Sequence, residues 1–506
     1  MAQKQKTGGI MMVEGLDLSK PAEYLSERQS PNAQNMAIDE SVLRKRTGTS
    51  VMGATLSERI MYGAEFTRAT IKYVVRIGLD KIEEWDAATP EWDDVTGTDL
   101  TGTVDDPISV ATPLLTGSRI LTFTNYVDAI RKYTGTGNTA VLGGSPPKCK
   151  FMVAYGAYLV LAWINDGTAR PMRVQWCDTG DPETWGSGNA GSKDLIEDGE
   201  DISGISLFSS YIAVHKQSAI YLGYLVDTDA VITFDRKNVF GTICNNTIQN
   251  LPDGTQAYLS FDGIRIFNGI SAPLIESRVT DELRDSINAE YVHTSWSLLV
   301  EDEDEYWVAV PIGSQTTPDT IYKYNYRTGN CYKDIRAGIT AAWKYTDIDQ
   351  LTWDDIDTAW DSYSGRWDDR ELLKLFKVVG FGDSTGITTS RDVSVNDDNS
   401  VAVDAFWESK DFTSKEVGRL VRWTKMDLWA KGNNVTVSYS IDAGSTWTTI
   451  ETSSLTDVYP TDDAPDELWF DVVSSKIRFR FRNNTAEETF SLKQFIVSYY
   501  DREMRG

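Results

Sequence analysis

The chain has 506 residues, 41% hydrophobic and 25% charged, the composition of an ordinary soluble globular protein with material for two to four domains. Its 75 acids against 49 bases leave a formal net charge of −26, a sign that disfavours binding DNA by phosphate neutralisation, which needs clustered Lys and Arg. Two histidines (His215, His293) and four cysteines (Cys149, Cys177, Cys244, Cys331) with no C-x-x-C pair exclude most zinc sites and redox motifs, and any Ser-His-Asp triad would depend on one of two residues.

The opening, MAQKQKTGGIMMVEG, holds a four-residue apolar patch, too short for a signal-peptide core. No run of ~18 apolar residues follows. The expectation is a protein made in the cytosol, with free thiols and without membrane insertion. Further on, short apolar runs, several with period two, recur at 120–123, 151–163, 205–214, 220–225, 257–267 and 306–310. Turn signals separate them, among them Asn165-Asp166-Gly167, Pro252-Asp253-Gly254, Asp262-Gly263 and Thr328-Gly329-Asn330. This is the pattern of antiparallel strands joined by hairpins. Helical periodicity is confined to one clear stretch, 280–288, where Thr280 is the expected N-cap and two acids stand in the first turn.

Strand clusters begin near Glu58, Ile108, Lys148, Ile202, Thr247, Thr294 and Ile339, spaced by roughly 40 to 55 residues, which is the spacing of propeller blades. A pair of β-sandwiches is the rival arrangement. Between the apolar runs SLLV and YWVAV lie five acids, 301–305, expected to form a solvated hairpin loop because no calcium-loop spacing is present. Trp-Asp segments recur at Trp85, Trp92, Trp353, Trp360 and Trp367. They read as self-packing loops or contacts to a neighbouring subunit, sugar stacking being the alternative. The polar, acidic stretch 391–406 marks a boundary, after which strand-like runs resume at 435–441, 468–473, 476–482 and 494–500.

The most specific local motif is Ser440-Ile-Asp-Ala-Gly-Ser-Thr-Trp447, an Asp-box. Asp442 can accept backbone N–H bonds, Gly444 can take positive φ, and Trp447 can pack beneath the turn, so Ser440, Asp442, Gly444 and Trp447 are expected to shape a hairpin. No phosphate-binding glycine loop or dinucleotide fingerprint accompanies it, and no catalytic, cofactor or metal residue is assigned. The expectation is an all-β chain that is not an enzyme. It comprises an N-terminal arm and entering strand (1–50), a β-propeller of about six to eight blades (51–395) and a C-terminal β-sandwich or jelly roll (400–506).

Three patches add a resemblance. Gly15-Leu-Asp-Leu18, Ser30-Pro-Asn-Ala-Gln-Asn35 and Leu43-Arg-Lys-Arg-Thr-Gly48 resemble the opening of tailed-phage structural proteins, with Thr47 where proline is usual. YWVAVP (306–311) with IYKYNYRTGNCYKD (321–334) is similar to one of their blades, with Cys331-Tyr332 near the usual Trp, and 405–412 through 476–483 is similar to their C-terminal domain. The resemblance is to the β-propeller tail hubs or nozzles of short-tailed phages, also called packaged-DNA-stabilisation proteins. It implies a virion protein forming a ring, usually six-fold, below the portal and adaptor. Such a ring extends the DNA conduit, helps retain the genome and anchors fibres or a needle, without catalysis or cofactor. Leu43, Arg44 and Arg46 in the arm, and Trp353, Trp360 and Trp367, are the candidate subunit contacts. The alternative is a propeller glycosidase of the sialidase kind, or a carbohydrate-binding tail protein. An enzyme of that kind needs an arginine cluster and an acid pair facing one pocket, which the sequence does not mark.

Overall fold

In a computed structural model, residues 6–11, 14–39, 42–226, 231–275, 279–346, 377–413, 419–456 and 465–501 are described. Trp353, Trp360 and Trp367 lie outside them.

Alternating and apolar runs separated by tight turns give antiparallel meanders, and the meanders repeat. The first comprises Ile60–Arg68, Ile71–Gly78, Ile82–Asp86 and Glu91–Asp94, paired in chain order. Six more follow, with innermost strands Ser109–Ala111, Lys148–Tyr155, Gly204–Phe208, Gln249–Asn250, Trp296–Val300 and Ile339–Tyr345. These inner strands start within two residues of the starts read from the sequence spacing. The fold is a seven-bladed β-propeller.

Three blades depart from four consecutive strands, the second by carrying a hairpin, Leu114–Leu115 with Ser118–Arg119, between its first two strands. Among the described residues the fifth has three, Gln249–Asn250, Gln256–Ser260 and Gly263–Phe267. The seventh takes its outer strand from the other end of the chain. There Gly48–Val51 pairs antiparallel with Thr388–Asp392, Thr49 facing Arg391, which closes the ring by main-chain hydrogen bonds. Gly48 is required at this closure, since a Cβ would lie 1.8 Å from the Asp397 carbonyl oxygen.

Eleven further strands form one hydrogen-bonded network, drawn from 6–45 as well as from 405–501. Its axis is the twenty-residue strand Val421–Ser440. The first part pairs with Asp466–Ser474 and Phe490–Asp501, the later part with Thr448–Thr456 and Lys476–Asn483. Partners change near Gly432, at φ 145°, where the Phe490 strand presses so close that a Cβ would be 2.5 Å from the Thr489 oxygen. Strands of the chain's opening join the same network: Lys6–Met11 pairs with Phe490–Asp501, Ala33–Gln34 with Ala405–Glu408, and Met36–Asp39 with Val42–Lys45. Rings from several strands meet beneath it, Phe495 lying 5.1 Å from Phe481 and 6.3 Å from Trp407. Burial of such aromatics supplies the main stabilisation of this unit.

The helix forms over Thr280–Ser286. Thr280 is not its cap, however: it lies inside the first turn with its hydroxyl buried and without a partner among the described residues, and Val279 holds the cap position.

Candidate functional site

The Asp-box forms a closed hairpin turn between Val421–Ser440 and Thr448–Thr456. The Ser440 hydroxyl donates to Asp442 Oδ1 at 2.6 Å and accepts the Gly444 N–H at 2.8 Å. The Asp442 carboxylate accepts the Thr446 N–H at 2.9 Å and its hydroxyl at 2.6 Å. Those hydrogen bonds hold the Asp442 carboxyl below the usual carboxylate range. Gly444 has φ 91°, and the half-buried Trp447 ring carries the Arg480 guanidinium 3.9 Å above its centroid. Every contact is within the turn or to the sheet beside it.

The arm behaves differently from its expected role. Leu43 is 1% exposed within the core of the second unit, and Arg46 is 5% exposed. Arg44 alone of the three is exposed. Leu43 and Arg46 therefore cannot be surface contacts to another subunit: both are consumed inside the chain, at the joint where arm, propeller and second unit meet.

The stretches 15–18, 30–35 and 43–48 singled out in the sequence each supply atoms to that joint. Leu16 N–H donates to the Cys331 oxygen at 2.9 Å, on the outermost strand of the sixth blade, and a Cβ on Gly15 would lie 2.4 Å from the same oxygen. Ser30 donates to the Glu408 carbonyl at 2.8 Å, and Asn32 Nδ2 to the Glu408 carboxylate at 3.1 Å. Asn35, buried and at φ 55°, reaches three ways: Oδ1 accepts Arg46 Nε–H and Ile335 N–H, both at 3.0 Å, while Nδ2 donates to the Asp404 oxygen at 2.8 Å. Asn tolerates positive φ better than most residues, which makes it suited to this corner. Lys45 Nζ donates to Asn483 Oδ1 and the Glu488 carbonyl, both at 2.8 Å, and burial beside Arg46 pushes its ammonium down to about 8.

Beneath the patches runs a buried ionic layer. Arg46 grips Asp398 with both terminal nitrogens, at 2.9 and 2.5 Å, and Arg336 meets the same carboxylate at 3.1 Å. Burial opposes the charge on Asp398, but Arg336 and Arg46 outweigh it and hold the carboxyl down to about 2. Asp334 faces Lys323 Nζ at 2.6 Å and Arg46 Nε at 3.8 Å.

The acidic hairpin expected to be solvated belongs to this layer too. Glu303 pairs with Arg391, and Asp302 lies 3.7 Å from it. Glu305, 4% exposed, accepts the Trp307 indole N–H at 2.7 Å. Burial and the adjacent Glu303 push the Glu305 carboxyl up to about 8, whereas Arg391 and Lys323 overcome burial and keep Glu303 low. The two acids therefore stand as a neutral carboxyl beside a carboxylate. Reading the sequence missed this pair because its cation lies 88 residues from Glu303, on the seventh blade.

The Trp85 and Trp92 rings face each other across a hairpin at 5.2 Å, Arg76 lies 4.4 Å over Trp92, and the Trp92 N–H donates to the Met52 oxygen at 2.8 Å. They pack inside the chain, in a cluster shared by the first and seventh blades. Among the described residues no cluster of three His, Cys, Asp or Glu is placed to hold a metal ion, and no helix is long and apolar enough to cross a membrane.

No family description and no curated protein sequence matches the chain. Among solved structures it is similar to BamB from Moraxella catarrhalis, at 12% identity over 76% of this chain and 97% of that one, with a TM-score of 0.34. It is also similar to the dihydro-heme d1 dehydrogenase NirN in complex with DHE, at 8% identity over 53% of this chain and 54% of that one, again with a TM-score of 0.34. Neither likeness is close enough to speak to activity.

Proposed function

We propose that the protein is a non-catalytic structural subunit of a short-tailed phage tail, a propeller hub or nozzle below the portal and adaptor. The observation that supports this reading is the fate of the phage-like patches. Gly15, Ser30, Asn32, Asn35, Lys45, Arg46 and Gly48 each make a specific contact at the joint or the ring closure. The resemblance is thus carried by residues with a geometric task. It locks propeller, arm and second unit together, as a part transmitting force in a larger assembly needs.

In the proposed setting six copies form a ring around the DNA path, with fibres or a needle attached. At −26 per chain the subunits repel one another and repel phosphate, so the lumen passes DNA without holding it. Electron microscopy of virions, combined with the mass of the purified assembly, tests the reading. A ring near six times the chain mass in a tail supports it; a monomer that turns over sialosides or host polysaccharide overturns it. Free protein should self-associate more as salt rises, because screening acts within a Debye length of ~10 Å at 0.1 M. Tight, salt-sensitive duplex binding by the free chain would contradict a passive conduit.

A further inference from the structure

The innermost strands of the seven blades enclose a central cavity of about 470 Å3. Val104 and Pro107 of the loop 99–107 line it, and that loop is held by side-chain hydrogen bonds. Thr101 donates through its N–H and hydroxyl to Asp128 at 2.7 and 2.6 Å, Thr103 donates likewise to Asp106 at 2.7 and 2.9 Å, and Asp105 reaches His293 at 3.3 Å, ahead of the sixth blade. The cavity wall includes Met61, Val110, Leu207 and Leu298.

Two independent observations set its charge. Its described lining carries Arg59, Lys344 and Lys377 against one acid, Glu65, in a chain where acids outnumber bases 75 to 49. Lys377 is taken by Glu65 at 2.6 Å and Lys344 by Glu301 at 2.7 Å, which leaves Arg59. Its Nε is buried and has no hydrogen-bond partner among the described residues. Arg46, Arg76, Arg336, Arg391 and Arg478 each reach a carboxylate, Arg336 with its own Nε likewise without a partner among the described residues, and buried Arg131 reaches the Thr96 carbonyl and the Thr139 hydroxyl. Asp105, whose field acts on Arg59, is engaged with His293. A guanidinium offers five donors in a rigid fork that matches an oxyanion, and a buried donor without a partner is the feature native structures avoid.

We propose that this pocket binds a small molecule bearing a carboxylate or phosphate, with the oxyanion on the Arg59 fork and the apolar body against Met61, Leu207 and Leu298. The site is independent of ring assembly and of any tail role. Titration of the full chain with inorganic phosphate and, separately, with glutarate, at constant ionic strength held by sodium chloride, tests it. Trp296 and Trp343 line the pocket and report by fluorescence. A saturable response to either anion is expected, phosphate alone marking a phosphate ligand and glutarate alone a carboxylate one. Arg59→Gln should weaken it about tenfold or more. Arg59→Lys, which keeps the charge without the fork, should fall between the two and carries the test if the Gln variant does not fold. Arg422→Gln, on the surface of the second unit, should bind like wild type. No saturable response to either anion up to roughly 50 mM, or equal affinity in the Arg59 variants, would overturn the proposal.

Discussion

The propeller and the second unit are both all-β, yet they are assembled on opposite plans. A blade is a local object: the third uses one stretch of chain, from Lys148–Tyr155 to Gly191–Asp194, and each strand pairs with the one before it. The second unit gathers distant pieces. Lys6 faces Tyr499 and Ala33 faces Trp407, and the arm between them crosses the sixth blade on its way. Their interiors differ accordingly. The middle of a blade is apolar, as Leu159, Val160, Leu161 and Ala162 show, all fully buried. The joint is ionic, with Arg46, Arg336 and Asp334 buried and Asp398 half-buried against the two arginines. Damage in a blade should therefore stay near its site, and damage in the second unit or the joint should spread to both chain ends.

The largest test of that contrast is Trp407→Ala. It opens a cavity beneath Phe481 and Phe495 and should cost about 3–5 kcal/mol. Hydrogen exchange should then rise across 33–45 as well as 405–408. Leu159→Ala, a cut of about 2–5 kcal/mol in the third blade, should raise exchange in that blade and its neighbours and leave 33–45 protected. Equal spreading from both sites would erase the distinction.

Next in size is Asp398→Ala. It strands two guanidinium groups and should destabilise by about 3 kcal/mol, measured by denaturant unfolding at pH 7. The wild-type contribution of Asp398 is present above its ordinary 3.8 and is lost as pH falls towards about 2, so the gap between the two proteins should narrow in acid.

Glu305→Gln should act in the opposite direction. Because its folded carboxyl is raised to about 8 from an ordinary 4.5, its favourable contribution is full below pH 4.5 and fades as pH rises through about 8. Gln imitates the protonated carboxyl and keeps an acceptor for Trp307. The variant should melt like wild type near pH 4.5 and higher than wild type at pH 8.5, by on the order of 2 kcal/mol. Parallel melting curves at both pH values would contradict a protonated Glu305.

The smallest effects belong to the Asp-box, whose turn meets the joint only at its edge, through Arg478, Arg480 and Glu408. Gly444→Val forces a β-branched residue to φ 91° and should cost about 1–3 kcal/mol. Asp442→Ala should lower the melting temperature by less. Neither should change exchange in the propeller.

The same contrast explains what could be read from the sequence. Blade starts were legible because hairpins are specified locally, by turns such as Asn165-Asp166-Gly167 between adjoining strands. The Asp-box geometry was legible for the same reason, since its hydrogen bonds span at most four residues. The joint was not. Leu43 and Arg46 look like exposed contacts until Asp398, 352 residues after Arg46, comes to meet the arginine. Glu303 and Glu305 look solvated until Arg391 arrives. The fifth blade, three-stranded among the described residues, and the Arg59 Nε that finds no partner among them leave no mark in composition or periodicity.

The ring is closed by Gly48–Val51 lying against Thr388–Asp392, and this imposes an order of events on the ribosome. At roughly 5–20 residues per second, some 340 residues separate the two strands by tens of seconds of synthesis. Throughout that interval the emerged blades have no closing edge, and the opening segment has neither its blade partner nor Phe490–Asp501 to pair with. A nascent chain stalled before residue 388 should therefore present an unpaired strand edge and an unanchored N-terminus, the combination that holding chaperones recognise.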